Sequence, residues 1–290
     1  MKIINVSKTY KDHTVLANAQ MELERGTING LVGKNGAGKT TLMKIICGNI
    51  VNFEGRVEIP ANTSVGYLIE HPKFYAHESG LFNLKYFQQI FTNKVDMNFL
   101  NKIIDTLEMK QYMNKKVRNY SLGMKQRLGI AIALLRKPDY LILDEPTNGM
   151  DPEGTISILT TIKQIAKENN MAILISSHKL EDIEFISDNI IYIDGGRIKD
   201  IVNKQNLTNS GLIVFTFSQK DVKAAYAILQ DGIRNVQVEG NIIKTEYMED
   251  YSEILKNLAA NNIFPLNIEK KVTSVKDYYF HLSEKGEEVL

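Results

Sequence analysis

Residues 27–47, TINGLVGKNGAGKTTLMKIIC, decide the fold. TINGLVG (27–33) is an apolar run of strand length, GKNGAG is a glycine-rich turn, and the segment from Lys39 to Cys47 carries apolar residues at helical spacing. A strand that turns through glycines straight into a helix offers successive backbone N–H groups at the helix's positive end. That arrangement cradles phosphate oxygens. GKNGAGKTT (33–41) fits G-x-x-x-x-G-K-[ST] in the strand–turn–helix setting the motif requires. The spacing gives phosphate-facing backbone to Gly33, Lys34, Asn35, Gly36, Ala37 and Gly38. It gives the β and γ phosphates of a bound nucleotide to Lys39, a Mg²⁺ to the hydroxyl of Thr40, and a further phosphate contact to Thr41.

Such a loop needs an acidic partner for the metal, and LILDEP (141–146) supplies one. DYLILDEP (139–146) and MAILISSH (171–178) are too densely apolar for half-exposed strands and fit parallel strands covered on both faces. Asp144 ends the first of them, where a carboxylate can hold Mg²⁺ directly or through water. Glu145, one residue on, can face an attacking water as general base.

Strand and helix patterns alternate from residue 1 to about 200, the mark of an α/β core. Residues 79–118 break the alternation with helical periodicity and no strand, so a helical subdomain is expected over about 79–136. The polar stretch around 201–211 reads as a linker. Residues 212–290 then run β-α-β-β-α-β with a terminal helix at 274–286, a small α+β accessory domain of split βαβ form.

Composition excludes several classes. With 35 basic and 34 acidic side chains, no strong global field draws the chain to nucleic acid or anionic lipid. One cysteine rules out an internal disulfide framework and a multi-cysteine zinc site. Cys47 reads as a packed small hydrophobe. The N-terminus lacks a signal-like apolar core, and no apolar run reaches membrane-spanning length, so the expected location is the cytoplasmic side. His13, His71, His77 and His281 form no ligand spacing and read as surface residues.

YSLGMKQRLGIAIALL (120–135) resembles the signature motif of ATP-binding cassette (ABC) ATPases, which runs Leu-Ser-Gly-Gly-Gln before a basic amphipathic helix. Ser121 and Gly123 match; Tyr120, Leu122 and Met124 depart from the pattern, which implies a formed but locally different loop. NGMDP (148–152) resembles the family's next loop, with Asp151 as the residue reaching the opposite subunit. His178 resembles the switch histidine at the γ-phosphate, and Tyr10 the aromatic that stacks on adenine. The resemblance covers residues 2 to 200 with its motifs in family order. It implies a P-loop NTPase core, ATP and Mg²⁺ as ligands, and ATP hydrolysis. Because the signature loop of one cassette closes over the nucleotide of another, it also implies a head-to-tail homodimer.

VGYLIE (65–70) aligns with the family strand that usually ends in glutamine, so Glu70 stands where an amide normally approaches the metal and attacking water. A carboxylate oxygen can replace the amide oxygen toward a hard cation, at the cost of negative charge near the γ-phosphate. Together with YLIEHPKFY, LDEPTNGMDP and the C-terminal domain, Glu70 resembles the bacitracin and lantibiotic resistance subgroup. That implies ABC-2-type transmembrane permease subunits as partners, a peripheral position on the cytoplasmic face, and export of a peptide antibiotic. The alternatives are export of another lipophilic substrate, and a soluble ABC ATPase acting on nucleic acid or ribosomes. The coiled-coil insertion, zinc cysteines or second P-loop typical of the soluble class are not in the sequence.

Overall fold

The structure is a computed structural model that describes residues 1–70, 73–209, 211–233, 235–246, 248, 250–271 and 274–279. His71, His281 and the part of the expected terminal helix beyond 279 lie outside the described residues. Among the rest, the chain divides into two units, Met1–Val202 and Asn203–Leu290.

In the first unit, β1 (Lys2–Tyr10) and β2 (His13–Glu22) make an antiparallel hairpin, and β4 (Glu54–Glu58) pairs with the other edge of β1. Their apolar residues, among them Ile3, Val6, Leu16 and Met21, pack in one core with Leu42, Met43 and Ile46 of α1 (Lys39–Ile46). In the sequence this antiparallel layer is not distinct from the general alternation of strand and helix patterns. Bulges in β1 interrupt the period of two that would have marked it.

The main sheet has the order β5–β6–β7–β3–β8–β9, with β5 (Val65–Leu68), β6 (Tyr140–Asp144), β7 (Ala172–Ser176), β3 (Ile28–Val32), β8 (Asn189–Asp194) and β9 (Arg197–Asn203). The pairings from β5 through to β8 are parallel. Every residue of β3, β6 and β7 is buried, as their continuous apolar runs require. β3 feeds the phosphate loop, and β6 ends at Asp144. One strand, β7, separates them, so both endings open on the carboxyl edge of the sheet, where α/β folds bind ligands.

Two expectations need correction. Residues 201–211 are not a plain linker: β9 continues to Asn203, and α7 (Lys204–Asn209) follows directly. β9 is an edge strand whose side chains alternate between half-buried and exposed, so its polar residues imitate a linker. Leu207, 3% exposed, anchors the short helix. The helix after the signature residues, α4 (Leu122–Leu134), is not amphipathic: Gln126 and six apolar or small residues from Leu128 to Leu134 are buried around it.

α2 (Gly80–Thr92) and α3 (Met97–Thr106) fill the segment read as helical. Ser79 caps α2 by accepting from the Phe82 N–H at 3.1 Å, and Asp96 caps α3 through Phe99 at 3.1 Å. α5 (Pro152–Asn169) and α6 (Leu180–Ile186) flank β7 in sequence.

In the second unit, β10 (Leu212–Thr216), α8 (Val222–Gly232), β11 (Gln237–Glu239), β12 (Ile242–Glu246), α9 (Ser252–Ala260) and β13 (Asn267–Lys271) give β-α-β-β-α-β. The sheet order β11–β12–β10–β13 inserts β12 between β10 and β11, the split βαβ arrangement. Phe215, Phe217, Ala225, Leu229, Ile243 and Leu258 form its own core.

Candidate active site

The loop between β3 and α1 is held open by backbone geometry. Gly38, the residue before α1, has φ +102°, and a Cβ there would sit 2.7 Å from Leu16 Cδ2 and 2.8 Å from the Val15 carbonyl. Only glycine fits. No side chain caps α1, so its first N–H groups face the loop's hollow. Lys39, 6% exposed, folds back to donate to the carbonyls of Gly33 at 2.6 Å and Lys34 at 3.1 Å. Burial lowers its ammonium pKa, and the nearby Glu145 and Asp144 carboxylates push it back up. The resulting cavity, about 350 Å³, is lined by Asn35, Gly36, Gly38, Lys39, Thr40, Thr41 and Glu145, with His13 and Val15 as its far wall. His13 is exposed as expected, yet it borders this cleft.

Asp144 is fixed from two sides. Thr40 Oγ1 donates to one carboxylate oxygen at 2.7 Å, and Ser176 Oγ to the other at 2.6 Å. Asp144 and Ser176 are register partners in the β6–β7 ladder, so the sheet itself sets this contact. Ser176 also accepts from the Glu145 N–H at 3.0 Å, and its carbonyl takes the same N–H at 3.2 Å. That double acceptance steadies Glu145 at φ +50°, a conformation costing a non-glycine residue about 1–3 kcal/mol. The turn carries the Glu145 carboxylate to His178, whose Nε2 lies 2.5 Å from Oε2, and Asn148 Nδ2 lies 3.4 Å from the same oxygen. Next along the chain, Asp182, 8% exposed, accepts from Thr147 Oγ1 at 2.8 Å and Ser177 Oγ at 3.2 Å, pinning the loops that bear Glu145 and His178.

The sequence reading missed Ser176 and Asp182. Ser176 was visible inside ISSH, but only the β6–β7 register reveals its partner.

A hydroxyl and a carboxylate at bonding distance form a hard-oxygen pair that suits Mg²⁺, and an uncapped helix start beside a buried lysine suits a polyphosphate. The site's donors therefore fit both ligands.

Other expected site residues stand apart from this cluster. Tyr10 is half exposed on β1; Lys8 Nζ sits 4.6 Å from its ring centroid, and it does not line the cavity. Ser121 caps α4 by accepting from the Met124 N–H at 3.3 Å, with Gly123 in the same first turn. Asp151 precedes α5 with its side chain making no cap bond to the helix. Ser121, Gly123 and Asp151 also lie outside the cavity wall.

Glu70 follows β5 at φ +59° and forms an ion pair with Lys44 of α1. Beyond it, residues 76–79 are strapped to the segment before the signature loop. Glu78 and Ala76 carbonyls accept from Val117 N–H at 2.9 Å and Arg118 N–H at 2.8 Å, and Ser79 bridges Lys116. Buried Tyr120 adds a clamp by donating its hydroxyl to the Tyr112 carbonyl at 2.8 Å.

A model of the ABC transporter family matches residues 16–148. The ABC transporter ATP-binding protein YcbN of Bacillus subtilis (strain 168) is 34% identical over 96% of this chain and 94% of its own length. The chain belongs to the ABC transporter ATP-binding proteins. The cassette is also similar to the bacitracin transport ATP-binding protein BcrA of Enterococcus faecalis, 32% identical over 97% of the cassette and 96% of the relative. The lantibiotic transport ATP-binding protein SrtF of Streptococcus pyogenes is 38% identical over 71% of the cassette and 93% of its own length. Among solved structures, the dimeric cassette MJ0796 superposes with TM-score 0.64 at 23% identity, over 70% of the cassette and 98% of that chain, a likeness of fold. The cassette is thus the ATP-binding, ATP-hydrolysing subunit of a transporter.

Proposed function

We propose that the cassette powers an exporter completed by separate ABC-2-type transmembrane permease subunits, and that this exporter confers resistance or immunity to a peptide antibiotic such as a lantibiotic or bacitracin. The observation that carries the reading is the end-to-end similarity to a bacitracin transport subunit, C-terminal unit included. No helix among the described residues is long and apolar enough to cross a membrane. Work on a transported substrate therefore calls for partner subunits, with the cassette peripheral on the cytoplasmic face.

In this reading Gly33 to Gly38 wrap the phosphates, Lys39 and Thr41 contact them, and Tyr10 stacks on the adenine. Thr40 and Asp144 hold Mg²⁺, joined by a Glu70 oxygen. When bound, the ion neutralises charge on the β and γ phosphates. Glu145 takes the proton of the attacking water, and His178 orients Glu145 and reaches the γ-phosphate. Ser121, Gly123 and Asp151 serve the cleft of a second copy, so two chains pair head to tail around two nucleotides.

Co-purification from solubilised membranes tests the partner assignment. Recovery of membrane-spanning subunits is expected; DNA or RNA with no membrane protein would overturn it. A peptide-antibiotic susceptibility panel after deletion tests the substrate class, with unchanged sensitivity across the panel removing the resistance role. For the dimer, Glu145→Gln with ATP should elute at twice the monomer mass.

A further inference from the structure

The carboxylate of Glu70 is held by a residue that no motif marks. Lys44 lies four residues after Thr40 on α1, so the two share one helix face, with the hydroxyl one turn nearer the phosphate loop. Its ammonium contacts Glu70 Oε1, with side-chain exposures of 29% for Lys44 and 61% for Glu70. Glu70 itself stands two residues past the end of β5, at φ +59°, at the start of the segment leading to the strapped residues 76–79.

We propose that Lys44 is a positioning residue for Glu70: its ammonium competes with the Mg²⁺ at Thr40 and Asp144 for the same carboxylate, and so sets where the Glu70 side chain rests. The proposal builds on the reading of Glu70 as a metal-side residue. The physical case is a comparison of two cations. An ammonium in a solvent-accessible pair holds a carboxylate weakly, so the contact can be given up reversibly. A divalent ion offers the stronger field once it is fixed by Thr40 and Asp144. Glutamate makes such a switch available; a neutral amide would have little attraction to Lys44.

The test uses the full chain and a fluorescent ATP analogue whose binding is titrated with Mg²⁺, so no turnover is required. Lys44→Met should lower the half-saturating Mg²⁺ by about two- to fivefold, the scale of one exposed ion pair. Lys44→Arg should restore the wild-type value, and in a Glu70→Gln background Lys44→Met should have no effect. The sequence has no tryptophan, so Phe74→Trp supplies a single reporter four residues from Glu70. Its emission in Lys44→Met, before Mg²⁺ is added, should shift toward the Mg²⁺-bound value.

An unchanged Mg²⁺ requirement in Lys44→Met, an equal change in the Glu70→Gln background, or emission indifferent to Lys44→Met would each overturn the proposal. The site reading fails separately. If Glu70→Gln alone alters the Mg²⁺ requirement while Lys44→Met does not, Glu70 keeps its metal role and Lys44 loses its own. If Glu70→Gln alters nothing, both fall.

Discussion

The Ser176 hydroxyl is committed on both sides, donating to Asp144 and accepting from the Glu145 N–H. Ser176→Ala would leave a buried carboxylate oxygen without its donor, which costs about 1–3 kcal/mol. We expect a lower urea midpoint together with a reduced kcat, because Asp144 and Glu145 lose the same anchor. Glu145→Gln keeps the shape of the site but cannot take a proton, so ATP binding should persist while turnover falls by about 10²–10⁴-fold. Equilibrium binding and phosphate release measure the two halves of that statement. Lys39→Ala should abolish nucleotide binding itself. The residues of contiguous motifs were legible from sequence because strand, turn and helix lie side by side along the chain. Ser176 and Lys44 were not, since their partners lie 32 and 26 residues away and meet only through sheet register and helix packing.

At the scale of elements, α2 begins where Tyr120 ends. A Cβ on Gly80 would fall 2.1 Å from the Tyr120 hydroxyl oxygen, so Gly80→Ala should destabilise by about 1–3 kcal/mol. Adding Tyr120→Phe removes the clashing atom, and a double-mutant cycle by urea denaturation should show clear non-additivity. Burial pushes the Tyr120 phenol up to about 12 and the Cys47 thiol, at the end of α1, also to about 12. A raised thiol pKa means that the unfolded chain ionises first as pH rises. Stability from Cys47 is then fully present below about pH 8.5 and declines between there and pH 12. Between pH 7 and pH 10 the wild type should lose about 1–2 kcal/mol more than Cys47→Ala, read from urea midpoints at both values. The buried strands β3, β6 and β7 were legible because unbroken apolar runs admit few other environments. β9 and α7 were not, because an edge strand exposed in part and a helix anchored by one leucine carry the composition of a linker.

At the scale of the whole molecule, each unit has its own hydrophobic core, and the residues of the phosphate cavity all belong to Met1–Val202. A chain ending at Asn203, the last residue of β9, should therefore bind ATP with an affinity within about twofold of the full chain, as expected of a unit that folds by itself. Isothermal calorimetry on the two proteins checks this. The backbone strap that ties residues 76–79 to residues 116–118 has a mechanical consequence at this scale. It makes the chain a two-ended lever, with Glu70 on one arm and Ser121 on the other. Moving residues 76–79 must displace residues 116–118 or break the strap's hydrogen bonds. In a head-to-tail pair, where each Ser121 arm would rest on the neighbour's nucleotide, two such levers would form a closed loop. A step taken at one cleft would then reach the second cleft and come back to the first, giving the pair a built-in phase relation between its two ATPs.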